Sequence, residues 1–351
     1  MERLPEDAQT LHAEALALLI ALEGEREWSH LSGSFSTKTV KGADYVYFQY
    51  SDPGGVKRQF SLGRRTPELD TVVADYGRRR DLLESDLTQA SRLAGLLRSA
   101  GLSTTPHGPS RVLRALADAG VFRLGGVLVG SYAFQAIGNL LGVRWPEASW
   151  RTQDVDIATH LRLAVPQLEA DVPKALESLQ MGFVPVPQLD HRLASTAFRV
   201  RGIQLRVDLI TPGSERDQEP IFIPRFKAAA APIKYLTLVM REAQPALVVD
   251  GGITLIVVPT PARFALHKLI VSQRRSVIQQ TKSGKDIHQA ALLLEALAED
   301  RPTDLEVTAH AFAESGPAVT RKIERGLAAA TRAWPAAEPG AALVREALSA
   351  G

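Results

Sequence analysis

Apolar residues recur at Leu11, Ala15, Leu18, Leu19 and Leu22, the spacing of one helical face, so Pro5 to Leu22 is predicted to be a packing helix. The period changes at Tyr45-Val46-Tyr47-Phe48-Gln49-Tyr50, where strand-forming aromatics run into Asp52-Pro53-Gly54-Gly55 and Val56 to Leu62 resumes an extended pattern. That pattern predicts a β-hairpin. Thr66-Pro67-Glu68 then supplies an N-cap, a proline at the first helical position and an acid in the first turn, opening helical sequence that continues to Gly101. Ser103 to Pro109 interrupts all periodicity with two prolines and a glycine, and is the best linker candidate.

Beyond it strands and helices alternate. A short helix at Arg111 to Ala119 precedes an extended Gly126 to Val129, a helical Tyr132 to Leu141, an extended Asp154 to Ala158 and a helical Val172 to Leu179. Ala197 to Val200 and Ile203 to Ile210 flank a two-residue turn, Arg201-Gly202, and a second hairpin joins Ala246 to Val249 with Ile253 to Val257 across Asp250-Gly251-Gly252. From Pro261 onward the pattern is helical, broken at Pro302 and at Gly316-Pro317. The expected organisation is an N-terminal helical and β-hairpin domain over residues 1–105, a mixed-sheet α/β (α+β) core over 106–258 and an α-helical region over 259–351. A chain of 351 residues fits two to three domains.

Composition narrows the function classes. Hydrophobic residues at 45% and charged residues at 23% describe an ordinary globular balance. A formal net charge of +2 permits a nucleic-acid partner without demanding one, although Lys57, Arg58, Arg64, Arg65, Arg78, Arg79 and Arg80 concentrate positive charge in the first quarter. The absence of cysteine removes disulfides, zinc-thiolate sites and thiol nucleophiles together. The amino terminus is acidic and polar where a secretory signal would be basic and then apolar, and no run approaches the roughly 20 apolar residues of a membrane span. A cytoplasmic protein with no membrane association is expected.

The chemistry concentrates in three short runs. Val127-Leu128-Val129 ends in Gly130-Ser131 at the mouth of a helix, where a phosphate can approach backbone amides because glycine has no side chain; an ordinary strand-to-helix turn gives the same letters. Asp154 and Asp156 project to one face of a strand while Val155 and Ile157 face the other. Paired carboxylates repel and favour a cation between them, although a solvated edge strand or a capping pair reads the same way. In Ile203 to Ile210 the odd positions are apolar, leaving Gln204, Arg206 and Asp208 on the opposite face. Asp208 is thus a third acid on a second strand, and three acids facing a Gly-Ser helix entry provide what nucleotidyl transfer needs.

The runs Val129-Gly130-Ser131, Asp154-Val155-Asp156 and Val207-Asp208-Leu209 resemble the three-part signature of the DNA polymerase beta-like nucleotidyltransferase superfamily, over roughly Gly125 to Thr211. The resemblance implies a mixed-sheet nucleotidyltransferase core in which Asp154, Asp156 and Asp208 are catalytic and hold magnesium, two ions with manganese as an alternative. It also implies that Asp208 helps deprotonate the acceptor. The nucleoside triphosphate, ATP among them, would lie on Gly130 and Ser131. Gly142 to Arg151 forms an insertion between the helix and the next strand, as in long-spacer, toxin-related members. The run Pro259 to Leu294 is similar to those members too, which makes Lys268 and Lys285, with Arg263 and Arg275 behind them, candidate triphosphate ligands; a solvated helix face is the alternative for any one of them. The acceptor implied is an RNA or tRNA end, a protein side chain or a small molecule. The competing class is a non-catalytic nucleotide sensor or regulatory interaction protein that keeps the fold.

Other motifs fail. Thr281 to Asp286 lacks the upstream glycine of a P-loop, and His267 and His288 lack the partners of a zinc helix. Trp145 and Trp150 bracket the insertion and are expected to pack it. The tyrosine-rich hairpin with its arginines fits either a half-buried packing element or a surface that stacks bases.

Overall fold

The computed structural model describes residues 1–29, 33–51, 57–146, 149, 152, 154–159, 169–217, 219–274 and 280–349. A short strand, β1 (Glu2–Arg3), leads into α1 (Glu6–Ser29), after which β2 (Gly33–Val40), β3 (Ala43–Ser51) and β4 (Lys57–Arg64) form an antiparallel sheet. The expected hairpin is therefore part of a three-stranded sheet. Its extra strand escapes the hydrophobic pattern because Ser34, Ser36, Thr37, Lys38 and Thr39 are polar, and it turns into β3 on Lys41-Gly42, both at positive φ as a tight hairpin requires. Thr66 caps α2 (Pro67–Ser99) by accepting from the Leu69 amide at 3.3 Å.

Helices α1 and α2 run back to the rest of the chain, where Leu4, Ala8 and Ala15 pack with Leu93, Leu97 and Leu102 against Leu247 and Val249. The segment expected to be a linker is a packed strap. Asn139 bonds both the amide and the carbonyl of Ser103 at 2.9 Å, and Gln135, one turn away, holds Thr104 and Thr105. Helix α3 (His107–Asp118) begins four residues earlier than the periodicity indicated; Pro109 is tolerated because first-turn amides have no intrahelical acceptor to lose.

The central mixed sheet contains β5 (Gly126–Val129), followed by α4 (Gly130–Leu140) and β6 (Val143–Arg144), and then β7 (Asp154–Thr159). After α5 (Val172–Ser178) come β8 (Phe183–Pro185), β9 (Ala197–Val200), β10 (Arg206–Pro212), β11 (Ile221–Ile223) and β12 (Ala228–Ile233). The order is β11-β12-β10-β7-β5, with β10 parallel to β7 and β12, β5 antiparallel to β7, and β8 and β9 added beside the first half of β10. The turn between β9 and β10 is longer than the two residues expected. Arg201 to Leu205 loops out and closes with the Val200 amide on the Leu205 carbonyl, because Ile203 faces solvent instead of extending the strand.

The second hairpin forms as read. Helix α6 (Leu236–Met240) precedes β13 (Gln244–Val249) and β14 (Ile253–Val258), which pair in register. The helical region consists of α7 (Pro261–Ser272), α8 (Gln280–Asp300), α9 (Pro302–Ala313), α10 (Pro317–Ala333) and α11 (Glu338–Ser349), with Pro302 and Pro317 opening helices as their fixed φ favours. Its buried faces join the sheet in one apolar core running from Val112 to Leu348.

Candidate nucleotidyl-transfer site

Alternation on β7 buries Val155 and Ile157 and turns Asp154 and Asp156 the other way; on β10 it buries Val207 and Leu209 and turns Arg206 and Asp208 the other way. The parallel register sets Asp208 directly opposite Asp156 and Arg206 opposite Asp154. Directly opposed residues share a face with backbones about 4.8 Å apart, so the three carboxylates rise from one small area of sheet. On the other flank, antiparallel β5 sets Val129 opposite Asp156, which brings the mouth of α4 beside it. Gly130 is at φ +73°, and a Cβ there would overlap Asp156 Oδ2. Glycine is required on both counts.

The electrostatics follow from this crowding. Burial, then the charges of Asp208 and Asp154, push the Asp156 carboxyl up to about 6, while Lys268 and Lys282 oppose the rise. Arg206 answers the charge of Asp208: its Nε lies 2.9 Å from both carboxylate oxygens and its Nη2 2.7 Å from Oδ1. Lys282 Nζ stands 3.9 Å from Asp154 Oδ2. Behind them, Lys268 Nζ meets Asp286 Oδ1 at 2.6 Å in a buried pair. Lys285 is half-buried; burial and the neighbouring Lys268 lower its pKa, and Asp286 and Asp154 pull it back.

Among the described residues no three acidic, histidine or cysteine side chains converge as a ready metal cluster. Asp208 is turned onto Arg206 instead. The donor chemistry nonetheless suits a hard divalent cation: carboxylate oxygens on adjacent strands, one of them raised in pKa by burial and then by its neighbours' negative charge.

Residues 107–313 match the model of a family described as Nucleotidyltransferase. The chain belongs to that nucleotidyltransferase family. No curated protein matches this nucleotidyltransferase significantly. A solved structure that aligns with it is that of an antigenic nucleotidyltransferase-like protein from Paracoccidioides brasiliensis, at 15% identity and a TM-score of 0.32, over 64% of this chain and 95% of that one.

The nucleotidyltransferase's expected ligands divide by position. Asp154, Asp156, Asp208, Gly130, Lys268 and Lys285 come together around the sheet's polar face. Ser131 lies at the start of α4, its Oγ 3.5 Å from Gln289 Nε2. Arg263 is buried and committed elsewhere: it holds Glu242 at 2.8 and 3.0 Å and the Leu238 carbonyl at 3.2 Å, tying α6 to α7, and stacks over Phe312. Those contacts support a structural tie. Arg275 and Trp150 lie outside the described residues.

Two side chains in the site, Lys282 and Gln289, were not singled out from the sequence. With Lys285 and Asp286 they are spaced i, i+3, i+4 and i+7, one face of α8, and that spacing is the signal that would have found them. Gln289 is fully buried, donates to the Ser149 carbonyl at 2.7 Å, and has an Oε1 without a hydrogen-bond partner. Trp145 packs the insertion as expected, stacked on Phe134 at 4.8 Å with its Nε1 donating to the Phe134 carbonyl. The insertion is also stitched to the amino terminus, since β6 pairs with β1. No described helix is long and apolar enough to cross a membrane.

Proposed function

We propose that this nucleotidyltransferase moves a nucleoside monophosphate from a nucleoside triphosphate to an acceptor hydroxyl, with pyrophosphate leaving, in a magnesium-dependent reaction. The register that sets Asp208 beside Asp156 carries this reading. Asp154, Asp156 and Asp208 would hold the cation, magnesium with manganese as a substitute. Bound there, it would offset charge on the reacting phosphate and lower the pKa of an attacking hydroxyl.

The chain's own groups would do the rest. The α4 amino terminus at Gly130 and Ser131 presents backbone N–H groups to the triphosphate. Lys282 and Lys285 supply positive charge beside it, with Lys268 fixed behind them by Asp286. Asp208, released from Arg206, would accept the acceptor's proton. Residues 106–258 would form the catalytic core, with 1–105 and 259–351 as accessory regions. The acceptor classes are an RNA or tRNA end, a protein side chain or a small molecule, and the compartment is the cytoplasm. The long connection after α4 supports placement among toxin-related members.

The test is incubation of the protein with each α-labelled nucleoside triphosphate, magnesium, and total RNA or lysate, with Asp154→Ala in parallel. Label transferred to one acceptor class, and absent with Asp154→Ala, is expected; equal labelling by that variant would overturn the site assignment. A second reading, a nucleotide sensor that keeps the fold without transfer, draws on Arg206, which already satisfies Asp208. Nucleotide binding with no transfer to any acceptor would favour it.

A further inference from the structure

The three-stranded sheet of β2, β3 and β4 has two faces of opposite character, and its register separates them. One face carries Phe35, Phe48 and Phe60 in line across the strands, closed by Tyr76 of α2, with ring centroids 4.9 to 5.7 Å apart. Val46 and Phe48 are buried there, and Asp44 has the same parity on β3.

The opposite face reads, row by row, Val40-Ala43, Lys38-Tyr45-Arg64, Ser36-Tyr47-Ser61 and Ser34-Gln49-Gln59, with Lys57 beyond them on β4. The register shift at Val46/Tyr47 is what brings Arg64 onto this face, because it inserts one extra residue into β4. No acidic residue occupies any of these positions. Lys38, Lys57 and Arg64 are exposed, Tyr45 and Tyr47 are half-buried, and Lys38 Nζ lies 5.0 Å from the Tyr47 ring centroid while donating to Gln59 Oε1 at 3.1 Å. Among the described residues no carboxylate is ion-paired with Lys38, Lys57 or Arg64. The aromatic cluster of the sheet lies on the Tyr76 side, so it does not include Tyr45 and Tyr47, which keep part of their surface open.

We infer that this outer face binds single-stranded nucleic acid. Tyr45 and Tyr47 are two residues apart on one strand, about 7 Å, and both rings rise from the same face. They form a platform for successive unstacked bases, as aromatic residues on sheets do in single-strand binders. Lys38, Lys57 and Arg64 flank the platform and match a phosphate backbone in charge; the exposed Ser34, Gln49, Gln59 and Ser61 offer hydrogen bonds without adding negative charge. The sheet sits at the far end of α2. Tyr76 meets the sheet near the start of that helix and Leu97 meets the core near its end, roughly 30 Å further on. An arm of that length would hold an acceptor strand well away from the carboxylates that act on its end. The inference rests on the transfer reading only for that last step.

Binding is tested on the full chain by fluorescence anisotropy with labelled single-stranded RNA and DNA of about a dozen nucleotides and with a blunt duplex, across a range of salt. The intact chain should bind single strands more tightly than duplex. Tyr45→Ala and Tyr47→Ala should each weaken binding about tenfold and leave the salt dependence unchanged. Lys38→Ser and Arg64→Ser should each make the plot of log affinity against log salt shallower by about 0.7. Asp154→Ala, which removes transfer, should bind as the parent does, so failure of catalysis and failure of this surface are separately visible. All these side chains are exposed or half-exposed, and near-ultraviolet circular dichroism checks that each variant is folded. No binding to any single strand, tighter binding to duplex, or parental affinity in both tyrosine variants would overturn the inference.

Discussion

Gly130 lies so close to Asp156 that a methyl group on its Cα would overlap carboxylate Oδ2, and its φ of +73° is one that L-residues avoid. Gly130→Ala is therefore expected to cost about 1–2 kcal/mol in backbone strain and to displace Asp156. A displacement on the order of 1 Å at reacting groups lowers transfer about a hundredfold. Urea denaturation and labelled-nucleotide transfer measure the two effects; an alanine variant with parental kcat would show that Asp156 need not sit where it does.

Lys268 and Asp286 share a buried contact, and removing one partner should cost far more than removing both. Lys268→Met is expected to destabilise the protein by about 3 kcal/mol, and the double variant Lys268→Met, Asp286→Leu to recover most of the loss. Denaturant midpoints decide this. If the double variant is stable yet shows a raised KM for the triphosphate, Lys268 also serves the phosphates.

Arg206 holds Asp208 by two nitrogens, at 2.7 to 2.9 Å, in the position a cation would compete for. Arg206→Ala frees the carboxylate and should tighten magnesium binding by a few-fold to about tenfold. Isothermal calorimetry with magnesium alone reads this without reference to catalysis. Weaker binding would instead mean that Arg206 orients Asp208 for its role.

His12 on α1 is buried, its Nε2 has no hydrogen-bond partner, and burial pushes its pKa down to about 4. The unfolded chain takes up that proton near 6.5 and the folded chain refuses it until about pH 4, so between these values the unfolded state binds more protons. Stability is complete above about pH 6.5 and falls as pH drops toward 4, by up to about 3 kcal/mol. His12→Leu should flatten that part of a stability-against-pH profile measured by thermal melts. A profile unchanged by the substitution would show that other groups set it.

What was legible along the chain was local. Alternation placed Asp154, Asp156 and Asp208 on the polar sides of their strands, and β7 and β10 show the burial that alternation dictates. Thr66 marked a helix start, and Pro302 and Pro317, read as breaks, fall where new helices open, because capping and fixed φ act within a few residues. The polar strand β2 was not legible, since its place in the sheet comes from pairing with β3 and not from its own hydrophobicity.

The sequence by itself thus determined the two acid-bearing strands, their faces and the acids they carry, because a side chain's direction on a strand is fixed by a two-residue period. Only the tertiary structure decided which cations meet those acids. Arg263 and Lys268 lie on one helix, yet packing buries the first against Glu242 and Phe312 and sets the second behind the carboxylates, while Lys282 and Gln289 arrive from the next helix. A helix presents every direction in turn, and which direction faces the site is set by the partner it packs against.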